Sequence, residues 1–501
     1  MEYLDSILNG FRVTIQPANI FFCFMGVFLG TLIGVLPGIG PSGTISILLP
    51  LTFTFSPVSS IIFLAGIYYG AMYGGSTTSI LVNIPGEAAS VVTCLDGYQM
   101  ARKGRAGPAL GISAFGSFIA GTFSVVGLMF LSLPLSKFAL LFGPPEYFSL
   151  IIMGITFVTY LAQKSMAKAL VTAAFGFLLS FVGIDMITGK PRYTYGIPIL
   201  SDGVGILPLV MGLFGVAEVF KNLDSPETRS LFKTKLRGLL PNRQDWKDSG
   251  GPIARGTLLG FLIGVIPGGS SPLASFASYA VEKRCSKRPE NFGHGAIEGV
   301  AGPESANNSA FGGGLVTLFS LGIPPTVVSA LLFAALMIQG IQPGPFLISE
   351  HPDIFWGLVA SMYLGNVLLL FINIPLIGVW VQILRVPSKL LHPLILLFCI
   401  VGAYSIRNTL FDVGMMMLFG VLGYLMDKFD YEPAPLVLAF VLGPILEQGL
   451  RQSLRLSGGS FLIFFNRPLS AILLGIAGLL IISYFFFKKQ REVLDVKDET
   501  A

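Results

Sequence analysis

Gly34-Val35-Leu36-Pro37-Gly38-Ile39-Gly40-Pro41 lies in a stretch that runs from Arg12 to Glu87 with no Asp, Glu, Lys or Arg in between. A membrane-crossing helix needs roughly 20 consecutive apolar residues, so the stretch has room for several crossings. Pro removes a backbone donor and Gly loosens the chain, so Pro37-Gly38 predicts a helix break within it. At membrane depth the freed N–H and C=O groups must be bonded inside the protein or face a wet cavity. The octapeptide therefore predicts a broken membrane helix, not a turn in a soluble domain.

The rest of the chain agrees. Of 501 residues, 53% are apolar and 12% charged, where a soluble domain carries about 25% charged residues. Further charge-free runs cover Gly256 to Val281, Ser305 to Ser349, Ile354 to Leu384 and Pro468 to Phe487. The net charge of +5 fits the excess of Lys and Arg that marks cytoplasmic loops. There is no basic stripe interleaved with aromatics, so nucleic acid is not an expected partner; membrane lipid is. Cys23, Cys94, Cys285 and Cys399 have neither metal nor redox spacing. The first apolar stretch lacks a basic start and is expected to insert and stay, not to be cleaved.

The opening motif recurs. Gly264-Val265-Ile266-Pro267-Gly268-Gly269-Ser270 repeats it 230 positions later, and Gly313-Gly314 with Ile323-Pro324 repeats Gly74-Gly75 with Ile84-Pro85 239 positions later. The expected division is repeat one over 1–220, a basic cytoplasmic linker over 221–255, repeat two over 256–455, and a C-terminal helix with a cytoplasmic tail over 456–501. Loop charges oppose each other. The joint at Phe55-Ser56-Pro57 is uncharged while its counterpart carries Lys283, Arg284, Lys287 and Arg288; the next pair reverses this, with Arg102, Lys103 and Arg105 against a Lys- and Arg-free Gln339 to Asp353. Equivalent loops on opposite sides are the mark of inverted repeats. The expected fold is an all-α polytopic membrane protein of two inverted-topology repeats with broken or re-entrant helices and one extra C-terminal transmembrane helix. Its N-terminus lies in the periplasm and its C-terminus in the cytoplasm.

Four Gly-, Pro- and hydroxyl-rich segments interrupt the apolar runs: Pro37 to Thr44, Gly74 to Glu87, Pro267 to Ser275 and Pro303 to Pro325. Broken helices that point their N-termini inward offer donors to an anion, while freed carbonyls and hydroxyls can hold a small cation. The expected substrate- and ion-binding residues are Gly38, Gly40, Ser42, Ser76, Thr77, Thr78, Ser79, Asn83, Gly268, Ser270, Ser271, Ser305, Asn307, Asn308 and Ser309. The segments around Ser76 to Ser79 and Ser305 to Ser309 are expected to face each other. The plainer alternative for any one hydroxyl is close helix packing. Polar side chains at depth are costly, which favours binding for the dense run Glu304 to Ser309. Glu87 and Glu304 are candidates for coupling to a proton or cation, with helix capping as the alternative. No catalytic pair and no metal-ligand set is apparent, nor is a His-Glu-x-x-His run or a Gly-x-x-x-x-Gly-Lys loop. These absences argue against an intramembrane enzyme and against ATP hydrolysis by the chain itself.

Gly34 to Pro41, Tyr73-Gly74-Gly75-Ser76-Thr77-Thr78-Ser79-Ile80-Leu81-Val82-Asn83-Ile84-Pro85-Gly86-Glu87 and Gly302-Pro303-Glu304-Ser305-Ala306-Asn307-Asn308 resemble the large permease subunit of tripartite tricarboxylate transporters, the TctA family. The likeness extends from about Ile20 to Arg451. It implies a bacterial inner-membrane permease that works with a small four-helix membrane subunit and a periplasmic solute-binding protein. It also implies cation-driven (sodium or proton) uptake of citrate or related carboxylates, without an organic cofactor. A stand-alone cation-coupled carboxylate carrier is the runner-up.

Overall fold

The computed structural model describes residues 2–36, 40–160, 162, 165–185, 187–224, 239–383 and 388–498. They are overwhelmingly helical. In chain order the helices are α1 (Glu2–Thr14), α2 (Pro17–Val35), α3 (Gly40–Leu48), α4 (Pro57–Val82), α5 (Val91–Arg102), α6 (Ala106–Ala139), α7 (Pro144–Tyr160), α8 (Met166–Ser180), α9 (Ile206–Val210) and α10 (Ala217–Asp224), the last two joined by a π-helical turn at Met211–Val216. Then come α11 (Arg243–Val265), α12 (Ser271–Cys285), α13 (Glu298–Leu321), α14 (Val327–Ile338), α15 (Leu347–Glu350), α16 (Pro352–Asn373), α17 (Ile377–Ile383), α18 (Ser388–Arg407), α19 (Leu410–Lys428), α20 (Pro433–Leu456), α21 (Ile463–Asn466) and α22 (Pro468–Asp498). Among the described residues, seven helical stretches are long and apolar enough to cross a membrane: Pro17–Val35, Pro57–Val82, Ala106–Ala139, Ile206–Leu223, Pro352–Asn373, Leu410–Lys428 and Pro433–Leu456.

The helices form two compact units, each drawing on both halves of the chain. One comprises Met1–Ser136 with Gly205–Leu425, the other Lys137–Val204 with Met426–Ala501.

Two glycine-lined helix pairs build the first unit. α2 lies along α4 and α11 along α13. A Cβ on Gly30 would collide with the Ile67 carbonyl, and one on Gly34 with the Ala71 carbonyl. In the other pair, a Cβ on Gly260 would strike the Ala306 carbonyl and one on Gly264 the Ala310 carbonyl. Membrane helices approach this closely only where small residues let backbone meet backbone. The pairs also share a hydroxyl tie. Thr78 Oγ1 donates to the Val35 carbonyl at 3.0 Å, and Thr317 Oγ1 to the Val265 carbonyl at 2.5 Å. Both α4 and α13 end on a left-handed residue, Asn83 (φ 59°) and Gly322 (φ 71°). Past each break a serine hydroxyl receives the first free N–H: Ser90 from Glu87 at 3.3 Å and Ser329 from Thr326 at 2.8 Å. α4 and α13 run antiparallel. The Tyr68 ring meets the Phe311 ring at 4.6 Å, and two turns further along α4 Ser76 meets Glu304, two turns earlier on α13.

In the second unit, α20 packs on α7 and α8, and α22 on α7. Gly176 admits the Leu436 backbone. A two-residue hairpin pairs Gly183–Ile184 with Pro191–Arg192. Beside it Asp185 and Glu447 share Arg192 and Arg451, with Arg192–Glu447 at 2.7 Å and Arg451–Asp185 at 2.9 Å. The backbone N–H of Ile187, seconded by Arg451, holds the Asp185 carboxyl well below its ordinary value.

Ser76 to Ser79 and Pro303 to Ser309 lie within the continuous helices α4 and α13, just upstream of the unwound stretches at 83–87 and 322–326 that carry Ile84-Pro85 and Ile323-Pro324. Gly74 and Gly313 serve close approach, to the carbonyls of Thr31 and Phe261, so they leave the helical bonds intact. Pro303 stands early in α13, where its missing N–H deletes a single helical bond.

Candidate functional site

Helix α13 brings its polar run against α4, α5, α6 and α12. Glu304 is 1% exposed. Its carboxylate accepts the Ser76 hydroxyl at 2.5 Å and the Thr93 hydroxyl on its other oxygen, and the Ser113 hydroxyl lies against the same group. Among the described residues no Lys or Arg pairs with it. An isolated carboxylate is costly to bury, and hydroxyl dipoles offset only part of that cost. The site is therefore suited to a positive charge arriving from outside the chain.

One turn along α13, Asn307 Nδ2 donates to Glu87 Oε1 at 2.7 Å. Glu87 is half-buried, on the chain segment that follows the Asn83 break. The other side of the Asn307 amide, Oδ1, is buried with no hydrogen-bond partner. The Asn307 carbonyl receives the Ser271 hydroxyl at 3.3 Å, and Ser271 Oγ also lies 3.3 Å from Tyr68 Oη. Glu87, Asn307, Ser271 and Tyr68 thus form a second oxygen-rich group, continuous with the Glu304 group through α13.

The remaining expected residues divide. Asn308 Nδ2 donates to Ser117 Oγ at 2.7 Å and to the Glu304 carbonyl, fixing α13 to α6. Ser305 and Ser79 return their hydroxyls to carbonyls one turn back, at 2.8 and 2.9 Å, and Thr78 ties α4 to α2. All three hydroxyls are spent on backbone carbonyls. Ser309 Oγ is buried without a partner. Thr77 is buried on the flank of α4 that faces a small cavity. Asn83 is exposed at the left-handed end of α4. Gly268 (φ 86°) turns the chain between α11 and α12, and Ser270 caps α12 by accepting from Leu273 N–H. Gly40 (φ 64°) opens α3, and the Ser42 carbonyl receives the Ser46 hydroxyl; α3 packs on α14 and the π-helical turn. Gly38 lies outside the described residues. Ser76 meets Glu304, the residue just before the second hydroxyl segment.

Sequence reading missed Thr93, Ser113 and Asp96. Asp96 is fully buried; its Oδ1 accepts the N–H groups of Gly293, Gly295 and Ala296 at 2.9, 2.7 and 2.8 Å, and its Oδ2 the Tyr279 hydroxyl at 2.9 Å. It moulds the loop that leads into α13. A signal existed: Ser90, Thr93 and Asp96 recur every third residue and so share one face of α5.

Residues 20–438 match the model of the tripartite tricarboxylate transporter TctA family. The chain is 50% identical over 476 residues to an uncharacterized 52.8 kDa protein in the TAR-I ttuC' 3' region of Agrobacterium vitis, covering 95% of each chain. It is 48% identical over 242 residues to an uncharacterized protein in the TAR-II ttuC' 3' region of the same organism, covering 48% of this chain and 100% of that one. No solved structure matches.

Proposed function

The chain belongs to the TctA family, the membrane subunit of tripartite tricarboxylate transporters, and from that premise we propose that it is the permease of a cation-driven uptake system for tricarboxylates or related carboxylate anions. It is a multi-pass membrane protein and a transporter, not an enzyme. In this reading it resides in a bacterial inner membrane and acts with a periplasmic solute-binding protein and a small four-helix membrane subunit. Sodium or protons supply the driving force.

The observation that carries the reading is Glu304, a carboxylate 1% exposed, held by hydroxyls and without a basic partner among the described residues. Ionisable groups at membrane depth mark ion pathways more often than they serve packing. The Glu87–Asn307 group supplies a neighbouring oxygen-rich locus beside the exposed Asn83 break.

Inverted repeats are the proposed scaffold. Gly30 with Ile67, Gly34 with Ala71, Thr78 with Val35, the left-handed Asn83 and the Ser90 cap each have a counterpart at the matched second-half position: Gly260 with Ala306, Gly264 with Ala310, Thr317 with Val265, Gly322 and Ser329. The antiparallel course of α4 and α13 supports inversion over parallel duplication. The scaffold is pseudo-symmetric but its chemistry is not, since Leu315 stands at the position matched to Ser76 and Thr326 at that matched to Glu87.

The test is uptake of labelled carboxylates into proteoliposomes holding the complete transporter and its binding protein. Uptake should require a sodium or proton gradient and persist without ATP. Uptake that survives collapse of both gradients would sink the coupling reading.

A further inference from the structure

A small cavity lies beside the Glu304 group, with Tyr73, Thr77, Gly111, Ser113, Leu239 and Asn373 among its lining residues. Its polar wall is built of oxygens. The Tyr73 hydroxyl and Asn373 Oδ1 are both buried and without a hydrogen-bond partner among the described residues. Asn373 spends one Nδ2 hydrogen on the Leu369 carbonyl at 2.9 Å, which leaves its Oδ1 free to accept. Among the described residues no Lys or Arg lines the space, and its oxygens suit a cation better than an anion. Ser113 belongs both to the cavity wall and to the Glu304 group, where its hydroxyl lies against the carboxylate. Thr77, another lining residue, directly follows Ser76, whose hydroxyl Glu304 accepts.

Buried polar groups with no protein partner call for water or an ion. The space suits water-sized species and is far too small for a tricarboxylate. We propose that this cavity is the passage by which a small monovalent cation, stripped of most of its water and held by the wall oxygens, reaches and leaves Glu304, separate from the path of the organic anion. The inference rests on the reading of the chain as a cation-coupled permease and assigns that site its ion route. Oxygen ligands serve sodium and hydronium alike, and separate sodium and pH gradients distinguish the two.

The test uses the complete transporter in proteoliposomes. Ala114→Leu fills the cavity, since Ala114 also lines it; Thr77→Val and Asn373→Leu remove oxygens at nearly constant volume. Gly250→Ala, where an added Cβ meets nothing, is the control and should keep wild-type uptake. Two rates are read: net uptake driven by a sodium or a pH gradient, and exchange of labelled for unlabelled substrate at equal cation on both sides. The three test variants should lower net uptake about ten-fold under the gradient that drives the wild type, a loss of the size expected when an ion pathway is made apolar. Exchange, which needs no cation release, should stay within about two-fold under the same premise. Unchanged net uptake in all three variants overturns the proposal. Equal loss of uptake and exchange overturns it as well, because the cavity would then serve the substrate or the fold. A wild type that takes up no carboxylate at all would sink the permease reading and the passage with it.

Discussion

Ser76 on α4 donates its hydroxyl to the Glu304 carboxylate on α13 at 2.5 Å, across 228 residues of sequence. The contact joins two polar motifs that sit within apolar runs of the chain. It also fixes the antiparallel register of two helices that occupy matched places in the halves of the sequence. Because Thr93 holds the other carboxylate oxygen, three helices meet at a single side chain.

Glu304→Gln tests the charge at that meeting point. Gln keeps the shape and one acceptor, and the facing hydroxyls can rotate to accept from its amide. Thermal stability in detergent should therefore stay near wild type, while gradient-driven uptake should fall by about ten-fold or more if the charge carries the ion. Full gradient-driven uptake by the variant would remove Glu304 from the coupling role.

Asn307→Ala and Asn308→Ala separate binding from packing. The first deletes the donor to Glu87, worth on the order of 1–3 kcal/mol with a charged acceptor, and should reduce uptake several-fold in well-expressed protein. The second deletes the tie to Ser117 and should act mainly on stability. Leu315→Ala, at a fully buried apolar position, should cost about 2–5 kcal/mol and reduce expression before affinity. If Asn307→Ala leaves uptake kinetics unchanged, the Glu87–Asn307 group is a packing seam.

Gly30→Ala and Gly260→Ala test the matched helix pairs. Each new Cβ would meet a backbone carbonyl, of Ile67 and of Ala306 respectively, and a carbonyl on a packed helix cannot swing aside. Overpacking of this kind costs about 1–3 kcal/mol, so both variants should melt earlier and by similar amounts. A loss at one position alone would argue against equivalent scaffolds.

Native Cys285 is exposed, at the end of α12. An impermeant thiol reagent should reach it from the cytoplasm. In a Cys285→Ser background, Ser56→Cys should react from the periplasm. Labelling of the two positions from the same side contradicts inverted topology.

Asp96→Asn should disturb the loop that leads into α13. Asn retains one acceptor oxygen but loses the charge that gathers three N–H groups and the Tyr279 hydroxyl. Hydrogen bonds to a charged group contribute about 1.5–3 kcal/mol each, so a fall in melting temperature is expected, with uptake per folded molecule nearly unchanged. Selective loss of uptake without loss of stability would give Asp96 a direct part in transport.

Hydropathy, glycine spacing and loop charge are properties of the chain read locally, and they were sufficient for the membrane class, the positions of Pro85 and Pro324 at the breaks, the family motifs and the expectation of a duplicated plan. They also singled out Glu304 and Asn307, because a polar run in an apolar setting needs an explanation wherever it folds. Tertiary structure decided what those residues touch. The helices continue through Gly74-Gly75 and Pro303, since whether a glycine unwinds a helix or admits a neighbour depends on the neighbour. Thr93 with Glu304, Asp96 with its loop and the cavity at Tyr73 and Asn373 join segments far apart in sequence. No local pattern specifies such contacts; they follow from which helix faces are buried against each other and from the requirement that polar groups enclosed there find partners.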